Sequence, residues 1–378
     1  MQSEDAGKEK RKLTTFHYIL WFALTLAGFA LLQLADRYYR RKNRTWMYIT
    51  AFVLKILAGV GLAFCSMALS IPIIWRTGYL SMAISISLFT DAWTDLYAVI
   101  FRSIRKNAPG RKSMVVISLC LTVVYLTYGT VNMQIIHSNE HTYTSDKLTH
   151  EYTFVFLSDL HYGSAQSEQT VDNALAEIAQ LKPDFVLLGG DITDENTTAE
   201  EMRSIYQKLG ALPAPVYFIY GNHDRQGLGD YVGGANYTPE ELTAAIEANG
   251  ITILQDETVM IADDLTLLGR EDVSAGERRC KVSGLPPVSR DSFLLTVDHN
   301  PFSETDIQET GSDLQLSGHS HAGQFFPLKY IYMFGEKYVY GDYQVGNTRL
   351  YVSSGITGWY YPFRTSAHCN YEVVHLAP

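Results

Sequence analysis

Cysteine is scarce in this 378-residue sequence, which contains four. Cys65 and Cys120 lie in apolar segments, where cysteine commonly acts as a small hydrophobic residue. Cys280 and Cys369 could pair or stay free, and none of the four has the spacing of a cysteine metal site. The sequence also has no internal repeat and no low-complexity segment. These absences exclude a thiolate metal site and a repeat architecture.

Positive charge is scarce in the C-terminal part of the chain. Residues 137–378 contain 14 Lys/Arg and 34 Asp/Glu, a balance of −20, whereas residues 1–136 contain 16 and 6, a balance of +10. This split predicts two parts in different surroundings. Because a nucleic-acid-binding surface is basic, we expect no nucleic-acid partner.

Charged residues are rare in four apolar runs of the N-terminal part. The runs span residues 16–35, 47–70, 79–101 and 114–136. Each is about as long as the 20-residue helix that crosses a bilayer. The first is too long for the apolar region of a signal peptide, and basic residues follow it instead of a cleavage site. We predict a membrane region at residues 1–136 with about four transmembrane helices, and three is the alternative count.

Lys55 and Asp91 are charged residues inside two of these runs. If the second and third helices form a hairpin, both lie roughly 14–15 Å from the same membrane face, at about 1.5 Å per residue. A charge at that depth normally has a partner. One expectation is a Lys55–Asp91 ion pair. The other is that Lys55 extends to the interface while Asp91 lines a small wet cavity.

Basic residues in the short loops predict the orientation of the membrane region, because they favour the cytoplasmic side. With four helices, the loops at residues 37–44 and 102–112 share one side and carry ten Lys/Arg, against six on the other side. With three helices, a basic N-terminus inside gives the same result if the second and third segments merge. We therefore predict a multi-pass protein of the cell membrane whose C-terminal domain is extracytoplasmic.

The C-terminal part alternates between strand-like and helix-like patterns. The segment TFVFLSDLHYG is apolar and ends in a polar turn, and the next segment, QTVDNALAEIAQLKP, has apolar residues at helical spacing. This alternation predicts βαβ units. After residue 250 short strands dominate. We predict a polar linker at residues 137–150 and an α/β domain at 151–378.

Polar residues follow five of the predicted strands. They are Asp159 and His161, then Asp191, then Asn222, His223 and Asp224, then His299, and last His319 and His321. In an open α/β sheet, ligands bind beyond the carboxyl ends of the strands. Imidazole, carboxylate and amide ligands suit Mn, Fe, Zn or Co. Seven ligands are too many for one tetrahedral ion but fit two ions that share a carboxylate. A pair of such ions can catalyse displacement at phosphorus, and each ion lowers the pKa of a bound water molecule.

The ordered motifs D-x-H, G-D, G-N-H-D, a lone His and G-H-x-H resemble those of the calcineurin-like metallophosphoesterases, over roughly residues 150–378. The resemblance implies a calcineurin-like β-sandwich flanked by helices (α/β/β/α), here preceded by an α-helical transmembrane region. LLGRED and GHSHAGQ are similar to segments of the membrane-associated phosphodiesterases of that family. Near the C-terminus, Arg364 and Glu372 are present but the family's prolines are not.

The resemblance also implies a role for each motif residue. Asp159, His161 and His321 would bind one metal ion, Asn222, His299 and His319 would bind a second, and Asp191 would bridge them. His223 would be a general acid that protonates the leaving oxygen. Asp224 would hold the His223 ring in orientation. The cofactors would be two divalent ions of Mn, Zn, Fe or Co.

These residues favour a membrane-anchored metal-dependent phosphoric ester hydrolase. We expect a phosphodiesterase or pyrophosphatase that cleaves a small or lipid-linked phosphoester by metal-activated hydroxide attack. The alternative is a catalytically silent metal-binding sensor or scaffold on a membrane anchor. The intact His223 and the full ligand set favour the enzyme.

Four other polar residues have simpler expected roles. Asp194 and Glu195 are expected to begin a helix, where acidic residues suit the positive end of the helix dipole. Asp298 is expected to be a solvated loop carboxylate. Arg364 is expected either to contact the substrate phosphate or to form an ordinary surface salt bridge, and the sequence favours neither.

Overall fold

The structure of the chain is a computed structural model. The structure describes residues 45–68, 84, 86–93, 95–97, 99–100, 111–227, 234–335, 337–359 and 361–378. The first predicted membrane segment and the basic loop at 37–44 lie outside the described residues. The chain divides into two compact units, Met1–Thr127 and Tyr128–Pro378. The second unit is called the head below.

The described part of the first unit is helical. Helix α1 spans Thr45–Ala68, helical residues occur between 84 and 100, and helix α2 spans Arg111–Met133 and continues into the head. Among the described residues, one helix is long and apolar enough to cross a membrane, Val115–Met133, and Ile49–Gly59 is a shorter apolar stretch. The helix count therefore stays a prediction.

The expected ion pair between Lys55 and Asp91 is present. Lys55 Nζ lies 2.6 Å from Asp91 Oδ2 and 2.6 Å from Asp95 Oδ2. All three side chains are buried. Lys55 is thus held by two carboxylates of the third predicted segment, which confirms the pairing and adds Asp95 to it.

Two six-stranded sheets form the centre of the head. The first has the order β1-β12-β2-β3-β4-β5 and the second has the order β10-β11-β9-β8-β7-β6. The strands of the first sheet are β1 Ile136–Thr144, β2 Tyr152–Leu157, β3 Phe185–Leu188, β4 Val216–Phe218, β5 Thr252–Ile253 and β12 Cys369–Ala377. Those of the second are β6 Glu257–Ala262, β7 Leu265–Gly269, β8 Phe293–Val297, β9 Leu314–Ser317, β10 Gly341–Val345 and β11 Thr348–Val352.

The two-residue period of the strands explains how the sheets pack. In β2, Val155 and Leu157 face helices, whereas Phe154 and Phe156 point to the opposite side and pack against the second sheet. All four side chains are fully buried. A strand that is buried on both faces reads as a continuous apolar run, which is why its sequence predicts a strand so clearly.

Helices cover the outer face of each sheet. The helices of the head are α3 Glu168–Leu181, α4 Ala199–Gly210, α5 Pro239–Ala248, α6 Glu304–Thr310 and α7 Leu328–Gly335. Helices α3, α4 and α5 share a core with the first sheet, and Ile307 of α6 packs against β10 and β11 of the second. This layering confirms the predicted α/β/β/α architecture.

Capping residues set where the surface helices begin. Thr198 and Glu201 form a capping box at the start of α4, and Thr238 and Glu241 form another at α5. Each box satisfies two backbone N–H groups that the helix leaves without a partner.

The predicted linker at residues 137–150 contains a strand instead. Residues 136–144 form β1, which pairs in parallel with β12 from Ile136–Cys369 to Thr144–Ala377. The strand is at the edge of the sheet and only Tyr143 is buried in it. Its backbone makes the pairing, so no apolar alternation marks it in the sequence. The linker interpretation is therefore wrong for these residues.

Candidate metal centre

The ends of five parallel strands bring the predicted site residues together. Asp159 and His161 follow β2, Asp191 follows β3, Asn222, His223 and Asp224 follow β4, His299 follows β8, and His319 and His321 follow β9. The first three strands belong to one sheet and the last two to the other. The site thus lies where the carboxyl ends of both sheets meet.

The backbone of the site is in an uncommon conformation. Five of the candidate ligands have positive φ angles: Asp159 at 54°, His161 at 41°, Asp191 at 53°, His319 at 72° and His321 at 48°. Such angles are sparsely populated by residues other than glycine. Each costs of order 1–3 kcal/mol and persists where the surrounding structure enforces it, commonly at a functional site.

Asp159, His161 and His321 form the first group. Nε2 of His161 lies 3.2 Å from Nε2 of His321, which lies 3.5 Å from Asp159 Oδ1. His321 Nδ1 faces the carbonyl oxygen of Thr357 at 3.2 Å, and a carbonyl can only accept a hydrogen bond. When Nδ1 donates to Thr357, the lone pair of His321 Nε2 points into the group.

A cation explains why these atoms converge. The other ring nitrogen of His161, Nδ1, faces Asp194 Oδ2 at 3.3 Å. If His161 carries its proton on Nδ1, toward Asp194, the lone pairs of the two Nε2 atoms face each other at 3.2 Å, and a cation between them would remove the repulsion. The group is fully or nearly fully buried. Its donor set and geometry fit a divalent metal ion.

Asp191, His299 and His319 form the second group. His299 Nδ1 donates to the carbonyl oxygen of Gly189 over 2.8 Å, so Nε2 is the ring nitrogen that faces the group. Nε2 lies 3.0 Å from Asp191 Oδ2. Burial opposes protonation, but Asp191 raises the pKa of His299 well above its ordinary value. His319 Nδ1 lies 2.8 Å from Oδ1 of Asn222. A divalent ion bound here would replace the proton between the His299 imidazole and the Asp191 carboxylate, since a ligating histidine is neutral.

Asp191 lies between the two groups. Its Oδ2 is 3.0 Å from His299 Nε2 and 3.9 Å from His161 Nε2, so the carboxylate reaches a nitrogen of each group. Its Oδ1 accepts a hydrogen bond from the backbone N–H of His223 over 2.8 Å. Burial opposes ionisation, but the imidazoles of His299 and His223 hold the pKa of Asp191 well below its ordinary value.

His223 belongs to neither group and lies beside the first. Its ring is 5.4 Å from the His161 ring and 5.3 Å from the indole of Trp359, measured between centroids. Its Nδ1 lies 2.8 Å from Glu195 Oε2. Burial opposes protonation, but Asp191 and the hydrogen bond to Glu195 outweigh it and raise the pKa of His223 to about 9.

Asp224 does not have the role expected from the sequence. Its carboxylate accepts hydrogen bonds from the backbone N–H groups of Gly221 at 2.7 Å, Asp191 at 2.8 Å and Ile192 at 2.9 Å. It therefore holds the loops after β3 and β4 together. Glu195, not Asp224, contacts the His223 ring.

Asp194 and Glu195 were expected to begin a helix, and this is wrong. Helix α4 begins at Ala199 with Thr198 as its N-cap. Both acids are buried at the site, Asp194 against His161 and Glu195 against His223. Sequence reasoning missed them because acidic residues in a polar turn carry no mark of what they contact.

Two further expectations are wrong. Asp298 is buried, and its Oδ2 lies 2.6 Å from Nη2 of Arg279. Arg364 is fully buried and donates to the backbone carbonyls of Gly355 at 3.0 Å and His321 at 3.3 Å. It is neither a surface salt bridge nor exposed to a substrate, and it supports the loop that carries a candidate ligand.

The motif glycines allow the ligands to approach the backbone closely. A Cβ atom on Gly221 would lie 2.2 Å from Asp191 Oδ1, and one on Gly318 would lie 2.3 Å from Asp159 Oδ2. Any side chain at these positions would displace a candidate ligand.

Comparisons with known proteins agree with this geometry. The family model described as calcineurin-like phosphoesterase matches residues 152–323. An uncharacterized metallophosphoesterase of Helicobacter pylori (strain J99) is 32% identical, with 62% of this chain and 62% of that protein covered. The phosphodiesterase YaeI of Escherichia coli (strain K12) is 31% identical, over 55% of this chain and 76% of that protein.

A relative with a transmembrane name also matches. The zebrafish (Danio rerio) transmembrane protein with metallophosphoesterase domain is 26% identical, over 67% of this chain and 60% of that protein. The chain spans about 62% of the length of the Helicobacter relatives. Among solved structures, a dimetal phosphatase from Danio rerio has a TM-score of 0.38 at 11% identity, over 54% of this chain and 87% of that one. We draw no conclusion from so low a score.

Proposed function

Because this chain belongs to the calcineurin-like phosphoesterase family, we propose that it is a membrane-anchored, metal-dependent phosphoesterase with a dinuclear centre. Its substrate would be a small or lipid-linked phosphodiester or pyrophosphate. The observation that carries the proposal is the convergence of two buried ligand groups on Asp191, whose Oδ2 lies 3.0 Å from His299 Nε2 and 3.9 Å from His161 Nε2.

The two groups divide the ligands between two sites. Asp159, His161 and His321 would hold one divalent ion, Asn222, His299 and His319 would hold the other, and Asp191 would serve both. When bound, such ions supply positive charge for the phosphoryl oxygens and acidify water. Imidazole with carboxylate and amide oxygen suits Mn, Zn, Fe or Co.

His223 would deliver a proton to the leaving oxygen. Its Nδ1 faces the Glu195 carboxylate, which only accepts hydrogen bonds when ionised. Nδ1 therefore keeps its proton, and Nε2 is the atom that would give up a proton. Glu195 would fix the ring plane and stabilise its cationic form, as a carboxylate beside a working imidazole does.

The membrane region would anchor the head at the cell membrane with several helices and place it outside the cytoplasm. The candidate span Val115–Met133, the relatives named as transmembrane proteins, and the excess of Lys/Arg in the loops at 37–44 and 102–112 support this. An alkaline phosphatase reporter fused after Pro378 should be active. A fluorescent reporter that matures only in the cytoplasm should be dark, and the reverse pattern would place the head inside.

Hydrolysis of an activated phosphodiester tests the activity. Full-length protein in detergent, loaded with Mn, should cleave bis-p-nitrophenyl phosphate, and a chelator should abolish the reaction. On an alkyl phosphodiester, His223→Ala should lower kcat by about 10²–10⁴-fold, the usual contribution of a general acid, while the metal content stays unchanged. If the metal-loaded protein cleaves no member of a broad panel of phosphoesters, it is a silent sensor or scaffold.

A further inference from the structure

Helix α7 exposes a set of large apolar side chains. Phe334 is 93% exposed, and Tyr330, Ile331 and Met333 are between 47% and 56% exposed. Phe326, just before the helix, is 57% exposed. These five residues are called the α7 apolar surface below. Contiguous exposed apolar patches on a protein mark interaction sites, unlike single exposed residues.

The α7 apolar surface is connected to the end of helix α2. The backbone N–H of Phe326 donates to Thr365 Oγ1 over 2.9 Å. Thr365 in turn packs against the last turns of α2, since a Cβ atom on Gly129 would lie 2.7 Å from Thr365 Cγ2. One residue, Thr365, thus lies between the α7 apolar surface and the end of the candidate membrane span, Val115–Met133.

Hydrogen bonds fix the end of α2 to the same loop. Asn132 Nδ2 donates to the carbonyl oxygens of Arg364 at 3.0 Å and Ala367 at 2.8 Å. The backbone N–H of Arg364 donates to the carbonyl oxygen of Gly129 over 3.0 Å. These three hydrogen bonds are buried or partly buried. They fix the end of α2 to the loop at residues 363–368.

The same loop also reaches the metal centre. Arg364 Nη2 donates to the backbone carbonyl of His321 over 3.3 Å. His321 is a candidate ligand, and α7 begins seven positions later at Leu328. The loop at residues 363–368 therefore contacts the C-terminal end of α2. It also contacts residues 321–334, which include the candidate ligand His321 and the α7 apolar surface.

The sequence around α7 has little of the negative charge that dominates the domain. Residues 314–341 contain one acidic residue, Glu336, and two lysines, Lys329 and Lys337, whereas residues 137–378 contain 34 acidic residues. A membrane surface that carries anionic lipids repels acidic protein surfaces and attracts lysine. This stretch is thus suited to face a bilayer.

We propose that the α7 apolar surface inserts into the interfacial layer of the lipid bilayer that α2 crosses. Short helices with aromatic and aliphatic side chains on one side and lysine nearby bind in this layer, and tyrosine is enriched there. The contact would hold the metal centre at the membrane surface, where it takes a phosphoester whose acyl chains stay in the bilayer. This choice of substrate class rests on the proposed phosphoesterase activity, whereas the bilayer contact rests only on the proposed membrane span of α2.

Photo-crosslinking tests the contact without any need for activity. The full-length chain with p-benzoylphenylalanine in place of Phe334 would be reconstituted into vesicles that contain a radiolabelled phospholipid. The matched control has the same group in place of Met260 of β6, which is 69% exposed. We expect a lipid adduct at position 334 and none at 260. No lipid adduct at 334, or an adduct with a second copy of the chain, would overturn the proposal.

A pair of substrates with the same scissile group tests the substrate class. Phe334→Glu should leave the rate of hydrolysis of soluble bis-p-nitrophenyl phosphate within about twofold of wild type, because the side chain is almost fully exposed to solvent. The same variant should cleave the p-nitrophenyl ester of phosphatidic acid in vesicles at least tenfold more slowly, and Met260→Glu should cleave both normally.

The outcomes separate the two proposals. Equal rates of Phe334→Glu and wild-type protein on the vesicle substrate, or equal losses on both substrates, would overturn the substrate class. If the wild-type protein cleaves neither substrate, the proposed function fails, and the crosslinking result alone then decides whether the bilayer contact exists.

Discussion

Replacement of Glu195 by glutamine tests the assignment of His223 most directly. The variant keeps the size of the side chain but removes the negative charge 2.8 Å from His223 Nδ1. Both side chains are buried. The substitution also changes the contact from an ionised acceptor to a neutral amide, so the ring loses the group that fixes its protonated nitrogen.

The size of the effect follows from the strength of this contact. A hydrogen bond to a charged group contributes about 1.5–3 kcal/mol. Because about 1.36 kcal/mol corresponds to a tenfold change in rate, kcat should fall by about 10- to 150-fold if the whole contact is lost in the transition state. The loss should not exceed that of His223→Ala, since Glu195 acts through His223.

The leaving group provides the readout that a structural role would not change. A proton donor matters little when the leaving oxygen is a p-nitrophenolate, which departs as an anion, and matters greatly when it is an alkoxide. We therefore expect Glu195→Gln to slow an alkyl phosphodiester by the full factor and bis-p-nitrophenyl phosphate by much less. Glu195→Asp, which retains the charge, should recover part of the activity.

Asp224→Asn is the matched control, because its carboxylate binds backbone N–H groups and not the His223 ring. It should lower metal content and melting temperature and affect both substrates equally. The reasoning is refuted if Glu195→Gln slows both substrates equally, or if elemental analysis shows that it loses metal as Asp224→Asn does.

Three further predictions concern the ligands, the membrane region and pH. Asp191→Asn should lower the metal content at both sites and Asn222→Ala mainly at one, and elemental analysis that finds one ion per wild-type chain would contradict two sites. Lys55→Met should lower the melting temperature in detergent, because it leaves two buried carboxylates without a cation, a change that costs about 3–5 kcal/mol. Lys55→Arg should be tolerated. Equal melting temperatures for wild type and both variants would count against the ion pair. Burial opposes ionisation of Asp264, but hydrogen bonds from Thr149 hold the pKa of Asp264 below its ordinary value. Its contribution to stability is therefore complete above about pH 4 and is lost as the pH falls, so the melting temperatures of wild type and Asp264→Asn should differ at pH 7 and converge in acid; a gap that stays constant with pH would refute this.

Much of the site was predictable because its determinants are local. An apolar run buried on both faces predicts a strand such as β2, and the polar residues directly after it must lie at the strand end. Asp159 and His161 need no long-range information to be placed there. The order of the motifs along the chain then indicates which strand ends meet.

What could not be predicted depends on contacts between distant segments. β1 is polar and is a strand only because β12, more than 200 residues away, pairs with it. Glu195 and Asp224 are both acids in polar turns, and only the path of the backbone decides which one reaches His223. Arg364 is buried because its guanidinium finds backbone carbonyls, a pattern of partners that no local sequence encodes.

The position of β12 constrains the order in which the head can be completed. This strand lies between β1 and β2, yet it is synthesised more than 200 residues after either of them. Until it arrives, β1 and β2 have unpaired edges on the sides that it later fills, and open edges readily pair with other chains. While translation proceeds, β1 and β2 must therefore stay separated by about the width of one strand, so that β12 can enter between them. Slow elongation within residues 200–370 should thus favour aggregation, and a chain that stops short of β12 should be a target for proteolysis.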